Sequence, residues 1–379
     1  MWAAGRRESI ADAVVPGGPS MIKDVDIAGR ILGPGRPPLV VAELSGNHNG
    51  ELDRALALVD AAADAGADAV KLQTYTADTI TLDCDGPGFV IEGGPWDGRS
   101  LYELYQEAAT PWDWHDALFA RARERGLIAF SSPFDDTAVA FLEGLGAPAH
   151  KIASFEIVDI PLIERAAATG RPVIISTGMS SDAEVRDAVA AAQGGGAAGV
   201  IVLHCNSGYP TPLSDCNLRT IDHLRDLTGV AVGLSDHTLG TAVACAATAL
   251  GAVMIEKHIT LSRADGGPDA GFSLEPEEFA RLCRDCRDAF AALGAPRSGR
   301  TRSEATSRPF RRSLYAVEDI AAGAPLTRDN VRSIRPAFGL PPKVLPEVLG
   351  KRAARAIARG TPLSWDLIGG TKAGAGLGG

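Results

Sequence analysis

Two lysines and two histidines offer the first chemistry in this chain. Lys71 and Lys151 each fall inside a short apolar run, Ala69-Val70-Lys71-Leu72-Gln73 and His150-Lys151-Ile152-Ala153, where an unpaired charge would be costly. Ser132, Ser154, Ser207 and Ser235 end or follow comparable runs. Ammonium groups among hydroxyls suit a phosphate or carboxylate, because lysine supplies the point charge and the hydroxyls bond the remaining oxygens. A single lysine is ordinarily solvated or ion-paired; it is the pairing at run ends that favours an anion site. His237 and His258 close two further runs. Their imidazoles would converge on one divalent ion, with water and substrate in its open positions; a buried, hydrogen-bonded histidine pair is the structural alternative. Glu43 and Asp269 would act as general acid or base groups, or orient the ligands. Cys283-x-x-Cys286 has no matching second pair and lies in a predicted amphipathic helix, so it reads as structural.

The elements that must position these residues follow from the hydrophobic pattern. Apolar runs alternate with amphipathic stretches, predicting strands at Leu39–Leu44, Ala69–Gln73, Ile128–Ser131, His150–Ala153, Val173–Thr177, Val200–His204, Ala231–Leu234 and Val253–His258. In the first intervening helix, Leu52, Leu56, Val59 and Ala63 define one apolar face. Eight such units predict a (β/α)8 TIM barrel, an α/β fold whose active site gathers at the C-terminal ends of the strands. An open doubly wound sheet is the alternative, but Ser45-Gly46-Asn47-His48-Asn49-Gly50 after the first strand is not a dinucleotide fingerprint. Every predicted strand ends in polar residues, including Ser235-Asp236-His237 and Glu256-Lys257-His258, which are expected at one rim.

Downstream, Ile320-Ala-Ala-Gly-Ala-Pro-Leu-Thr-Arg-Asp329 recurs as Ile357-Ala-Arg-Gly-Thr-Pro-Leu-Ser-Trp-Asp366. Two copies predict a small pseudo-symmetric β-rich module. The expected organisation is a disordered extension over 1–20, with Met21 as an alternative start, then a catalytic barrel over 21–293. A linker over 294–309, the module over 310–368 and a flexible tail over 369–379 complete it. A formal net charge of −10 argues against nucleic acid or an anionic membrane as partner. Six scattered cysteines, no signal-peptide pattern and no long apolar run give the expectation of a cytoplasmic protein.

Several strings together carry a family resemblance. Val41-Ala42-Glu43-Leu44-Ser45-Gly46-Asn47-His48-Asn49-Gly50, Lys71-Leu72-Gln73-Thr74-Tyr75, Ser132-Pro133-Phe134, Lys151-Ile152-Ala153-Ser154, Gly233-Leu234-Ser235-Asp236-His237-Thr238 and Glu256-Lys257-His258 resemble, in order, the sialic acid (nonulosonic acid) synthase family. The resemblance runs from about Met21 to Ile368, its last part similar to the SAF or antifreeze-like (β-clip) domain. Glu43-Leu44-Ser45, Thr74-Tyr75-Thr76-Ala77-Asp78-Thr79 and Ser262-Arg263-Ala264-Asp265-Gly266-Gly267 resemble the pseudaminic acid branch.

The resemblance implies a metal-dependent transferase that condenses phosphoenolpyruvate with an acetamido sugar, releasing phosphate by C–O cleavage. For that branch the sugar is 2,4-diacetamido-2,4,6-trideoxy-L-altrose, and the product decorates bacterial surface glycans or flagellin. It implies phosphoenolpyruvate near Lys71, Ser132, Lys151, Ser154, Ser207 and Ser235, and a divalent metal on His237 and His258. Manganese is the first choice, with magnesium or cobalt as alternatives. Glu43, Gln73, Tyr209 and Asp269 would line the reacting centre. Arg335, in Ile334-Arg335-Pro336, would reach into a partner subunit's barrel, implying a domain-swapped homodimer. Ser207 departs from the asparagine that N-acetylneuraminate synthases often carry there, which shortens one contact. N-acetylneuraminate or legionaminate synthesis is the alternative within the family; outside it stand a Schiff-base pyruvate aldolase and a non-enzymatic sugar-binding protein.

Overall fold

A computed structural model of the chain describes residues 22–370 except 95, 296–298 and 300. The disorder expected over 1–20 lies outside the described residues, as does the expected tail beyond Gly370. Among the described residues the chain divides after Gly294 into two compact units, each taken by itself below.

The first unit opens with an antiparallel hairpin, β1 (Val25–Ile27) and β2 (Arg30–Leu32). Eight parallel strands follow: β3 (Leu39–Glu43), β4 (Ala69–Thr74), β5 (Ile128–Pro133), β6 (His150–Ile152), β7 (Val173–Ser176), β8 (Val200–Cys205), β9 (Ala231–Asp236) and β10 (Met254–His258). They close as β10-β3-β4-β5-β6-β7-β8-β9, the predicted barrel. Strands buried on both faces need apolar residues on both, hence the nearly continuous runs in the sequence. Alternation sorts them. Leu39, Val41, Ala69, Phe130, Ile174, Ile201, Leu203 and Met254 fill the interior together with Val25, Ile27 and Leu32 of the hairpin. Val40, Ala42, Val70, Leu72, Ile175 and Val202 pack outward against the helices. The hairpin meets the barrel at the strand N-termini: a Cβ on Gly199, just before β8, would lie 2.8 Å from Val25 Cγ1. Apolar packing therefore fills one end of the barrel and leaves the C-terminal end for polar groups.

Two sequence expectations are corrected in detail. In the helix Leu52–Asp64 the buried face is Ala55, Leu58, Val59 and Ala62, not the Leu52-Leu56-Val59-Ala63 stripe. Small alanines let this helix approach the sheet closely, and Leu56 and Ala63 cover the flank of the contact. Asp236 and Lys257 are not at the rim pocket. They alternate with inward neighbours and so face the helix layer, where Lys257 Nζ donates to Asp236 Oδ2 at 2.7 Å and to the Thr238 carbonyl at 2.5 Å. His204 likewise faces outward, with Nε2 2.6 Å from the Cys216 carbonyl. Cys283 and Cys286 are buried in the helix Pro276–Leu293, where burial pushes both thiols up to about 12; their role is packing.

The second unit holds β11 (Ser313–Ala316) and β12 (Val331–Ile334), paired antiparallel, and a core of its own around Leu314, Ile320, Leu326, Ile357 and Leu363. The internal repeat pairs with itself, since Ile320 and Ile357 exchange backbone hydrogen bonds of 2.8 Å in both directions. The equivalent leucines, Leu326 and Leu363, are both buried in that core. Gly369 N donates to the Arg352 carbonyl at 2.7 Å, so the expected loose tail is tied at its first residue.

The Lys257–Asp236 pair makes a stability prediction independent of the site. Lys257→Met leaves a buried carboxylate unpaired and should cost about 3–5 kcal/mol, measured by urea denaturation; a loss within about 0.5 kcal/mol, ordinary for a surface position, would show that the pair is not structurally important.

Candidate active site

The C-terminal ends of the strands surround a cavity of about 440 Å³. Lys71, Gln73, Lys151, Ser154, Tyr209, Ser235, His237, His258 and Asp269 all line it, so the structure brings together most of the residues picked from the sequence. Strand alternation explains why. Lys71 and Gln73 share the inward face of β4, and Lys151, Ser235 and His258 project inward from β6, β9 and β10. Glu43 and Ser132 stand against Lys71 and are fully buried. Ser207 lies at the margin, its Oγ 3.9 Å from Cys205 Sγ. Arg335 belongs to the second unit, where it is exposed immediately after β12.

The most connected group had been given no role from the sequence. Glu256 Oε1 is 3.0 Å from Lys71 Nζ, 3.8 Å from Lys151 Nζ and accepts from Ser235 Oγ at 3.3 Å. Lys71 Nζ also reaches Glu43 Oε2 at 3.0 Å and Ser132 Oγ at 3.5 Å. Burial by itself would raise Glu256, but Lys151 and Lys71 outweigh it and hold this carboxyl at about 2. Burial raises Glu43 as well, and the nearby Glu256 adds to that rise against the pull of Lys71. Lys71 is pulled down by burial yet held above its ordinary value by Glu256 and Glu43. It stays charged. Lys151 differs: burial, with Lys71 beside it, holds its amine down at about 8 despite Glu256. The Lys151 Nζ–Glu256 Oε1 separation of 3.8 Å is beyond hydrogen-bond length, and an ammonium placed so on a cavity wall suits an oxyanion.

Around this cluster, Gln73 Nε2 donates to Glu43 Oε1 at 2.9 Å and to Ser45 Oγ at 3.0 Å, while Ser45 Oγ donates to Asp269 Oδ2. Ser45 holds this bridging position with φ of 45°, in the left-handed region that a serine rarely adopts. Burial raises Asp269 above its ordinary value. Gly178 N donates to Ser154 Oγ at 3.1 Å. A Cβ on Gly178 would sit 2.1 Å from Ser207 Oγ and 2.8 Å from Ser154 Oγ, so only glycine lets these two serines stand together.

The histidines fit a metal. Their ring centroids are 5.4 Å apart. The Asn206 carbonyl, 2.9 Å from His237 Nδ1, can only accept; Nδ1 therefore carries a proton and Nε2 is the free lone pair. Burial, His237 and Lys71 drive the His258 pKa well below its usual value, which keeps that ring neutral, and its Nδ1 has no hydrogen-bond partner. Burial opposes charge on His237, but Cys205 and the Asn206 carbonyl outweigh it and raise its pKa. No third His, Cys, Asp or Glu joins them as a ligand group among the described residues. Two imidazoles with open positions suit a divalent ion completed by water and substrate oxygens.

Tyr209 packs its ring 4.5 Å from that of His237 and 5.0 Å from that of Phe272. Glu156 also lines the cavity and is pushed up to about 7 by burial. Beyond Glu256, sequence reasoning missed Ser45, Cys205 and the aromatic and aliphatic wall supplied by the segment after β4. Glu256 was legible: it stands two residues before His258 on one strand, hence on the same face.

A family model described as the NeuB family matches residues 58–298, and one for the SAF domain matches 311–369. The chain belongs to the NeuB family. A NeuB relative from Helicobacter pylori, named pseudaminic acid synthase, is 43% identical over 335 residues, covering 88% of this chain and 98% of the relative. An N,N'-diacetyllegionaminic acid synthase from Legionella pneumophila is 35% identical over 334 residues, covering 87% of this chain and 94% of that one. Among solved structures, N-acetylneuraminic acid (sialic acid) synthetase from Leptospira borgpetersenii in complex with citrate matches with a TM-score of 0.67 at 31% identity. That match covers 76% of this chain and 95% of the other.

Lys151 sets a pH dependence. A bound oxyanion stabilises its protonated form, so affinity should be full below about 8 and be lost as pH rises through that value. Sulfate, which does not titrate in this range, is the probe: its Kd by calorimetry should rise by up to ~10-fold per unit above the midpoint. Lys151→Met should bind weakly and without pH dependence; a flat wild-type profile would contradict the assignment.

Proposed function

We propose that this NeuB family member is a pseudaminic acid synthase. It would condense phosphoenolpyruvate with 2,4-diacetamido-2,4,6-trideoxy-L-altrose to give pseudaminic acid and phosphate. The observation that carries this reading is the meeting, in one cavity, of two buried lysines on Glu256 with two imidazoles free to bind metal. The choice of sugar is supported by the 43% identity to the Helicobacter pylori pseudaminic acid synthase, against 35% to the Legionella pneumophila legionaminic acid synthase.

In this proposal Lys71 and Lys151 bind the phosphate, the former already fixed by its carboxylates and the latter gaining an acceptor within hydrogen-bond length. Ser154, Ser235, Ser132 and Ser207 bond the remaining oxygens. His237 and His258 would hold a divalent cation, manganese first, which would polarise the sugar aldehyde and stabilise charge developing on its oxygen. Carbon C3 of phosphoenolpyruvate forms the new bond to the aldehyde carbon as its C2–C3 π electrons move. The aldehyde oxygen takes a proton. Water adds at C2 and loses one proton, and the resulting C2 hydroxyl collapses to the ketone as phosphate leaves with the C2–O electrons and takes up the hydroxyl proton. Glu43, raised by burial and hydrogen-bonded by Gln73, suits the proton the water releases. Asp269, raised by burial and bonded to Ser45, and Tyr209 would orient the sugar. Water-excluding burial strengthens each of these interactions.

The proposal includes a homodimer in which Arg335 of one protomer completes its partner's site. Mixing inactive Arg335→Ala and His258→Ala proteins should then restore activity, because the mixed dimer holds one intact barrel facing one intact arginine. No rescue, with mixed dimers shown by native mass spectrometry, would place the arginine elsewhere.

The main test is phosphate release from phosphoenolpyruvate with the diacetamido altrose, N-acetylmannosamine and the legionaminic acid precursor, with and without chelator. Release should be fastest with the first and fall at least ~100-fold on metal removal or in His258→Ala, the scale of one lost electrostatic stabiliser. A preference for either other sugar would move the chain to another branch, and full activity without metal would remove the histidines' role. The depressed Lys151 amine favours one rival, a Schiff-base aldolase. Borohydride with pyruvate should leave the protein mass unchanged; a trapped lysine adduct would support the aldolase.

A further inference from the structure

Asp269 stands on a loop rather than on a strand. The chain between β10 and the helix Pro276–Leu293 carries it, and a group on a loop is only as precise as the contacts that fix it. Both ends of that loop are held. Arg263 pairs with Glu278 at the first end. At the second, Asn47 Nδ2 donates to Ser273 Oγ at 2.9 Å and to the Ile259 carbonyl at 2.8 Å, and Ser273 Oγ donates to the Asp269 carbonyl at 2.6 Å. Between them Gly266 and Gly267 have φ of 72° and 114°. Two adjacent glycines leave the crest of the loop conformationally permissive, so its shape depends on contacts from outside.

Arg54 makes the strongest of these. Its Nη1 donates to Asp265 Oδ2 at 2.7 Å and its Nε to the Asn47 carbonyl at 2.9 Å, and charge-assisted bonds exceed neutral ones. The guanidinium thus bridges the segment after β3, which carries Ser45, to the loop whose Asp269 accepts from Ser45. Asn49 Nδ2 approaches the Asp265 and Gly266 carbonyls only to 3.5 and 3.4 Å, and Trp96 Nε1 reaches further along, to the Pro268 carbonyl at 2.9 Å. Arg54 is not placed there for the sake of its own helix. It lies in the first turn of the helix Leu52–Asp64, where the positive end of the dipole disfavours a cation. Its side chain is only 14% exposed, so it also gives up water to make the bridge. We propose that Arg54 is a positioning residue, whose clasp on Asp265 fixes the crest of this loop and so presents Asp269 to Ser45 and to the sugar. The inference rests on the synthase reading above for what Asp269 does, and adds a residue away from the cavity lining on which its placement depends.

The clasp is read without substrate by hydrogen exchange and mass spectrometry. In Arg54→Met, amides over 262–270 should exchange at least ~10-fold faster than in the wild type, while those of the barrel strands stay unchanged. In the metal-loaded enzyme, kcat/KM for 2,4-diacetamido-2,4,6-trideoxy-L-altrose should fall ~10–100-fold, the scale of a group displaced by about an ångström. Sulfate Kd should stay within ~3-fold of the wild type, since Lys71 and Lys151 are distant, independent sites. Asp265→Ala should reproduce both effects, and the double variant should be no worse than Arg54→Met alone, because both substitutions break one contact. Asp265 is exposed, so its variant decides the matter if Arg54→Met does not fold. Unchanged exchange over the loop in a folded variant, or additive losses in the double variant, would overturn the clasp. Faster exchange with wild-type kcat/KM would overturn the positioning role. Absence of phosphate release from the wild type with every candidate sugar would strike the synthase reading and the positioning role with it, while exchange still judges the clasp.

Discussion

The reactive end of this barrel depends on one buried carboxylate. Lysines from β4 and β6 point into the same space, and without a counter-charge their burial and mutual repulsion would drive one of them neutral or out of the core. Glu256, reaching across from β10, meets both. It does so unequally. Lys71 is enclosed by Glu256, Glu43 and Ser132, whereas Lys151 has a single long ion pair and an amine held down at about 8. In the proposed reaction an arriving phosphate would add acceptors to this partly paired cluster.

Strand alternation then separates chemistry from scaffold at single-residue resolution. On β10, Glu256 and His258 face the cavity while Lys257, between them, is spent on Asp236 in the helix layer. At the end of β9, Ser235 and His237, the residue after the strand, line the cavity while Asp236 between them faces out. The same residue types, charged and consecutive in sequence, thus have opposite purposes, one holding the barrel to its helices and the other preparing a site. The apolar plug of the β1–β2 hairpin at the opposite end makes this possible, since it fills the interior without using the C-terminal rim.

Most of this was legible in the sequence, and the reasons for the rest are physical. All eight strands were found because doubly buried parallel strands write themselves as apolar runs; their ends shifted by one or two residues where polar groups such as Ser235 and Asp236 continue the ladder. Lys71, Lys151, His237 and His258 stood out as polar residues within those runs. Glu256 did not, because a carboxylate beside a lysine in sequence reads as a local pair, and only the strand's two-residue period assigns it to the distant Lys71 and Lys151. The aliphatic lining was invisible for a different reason. Ile80, Ile91 and Leu104 lie outside the regular βα pattern, and nothing in their spacing distinguishes residues that line a cavity from residues that fill a core.

The central claim is that the lysine cluster and the histidine pair serve one reaction in one cavity. The most direct test is a crystal structure grown with manganese and phosphoenolpyruvate, with the metal located by its anomalous scattering. The account predicts one strong anomalous peak between the His237 and His258 rings and a phosphate held by Lys71 and Lys151. Manganese bound away from the imidazoles, or phosphoenolpyruvate lodged outside the barrel's C-terminal end, would contradict it.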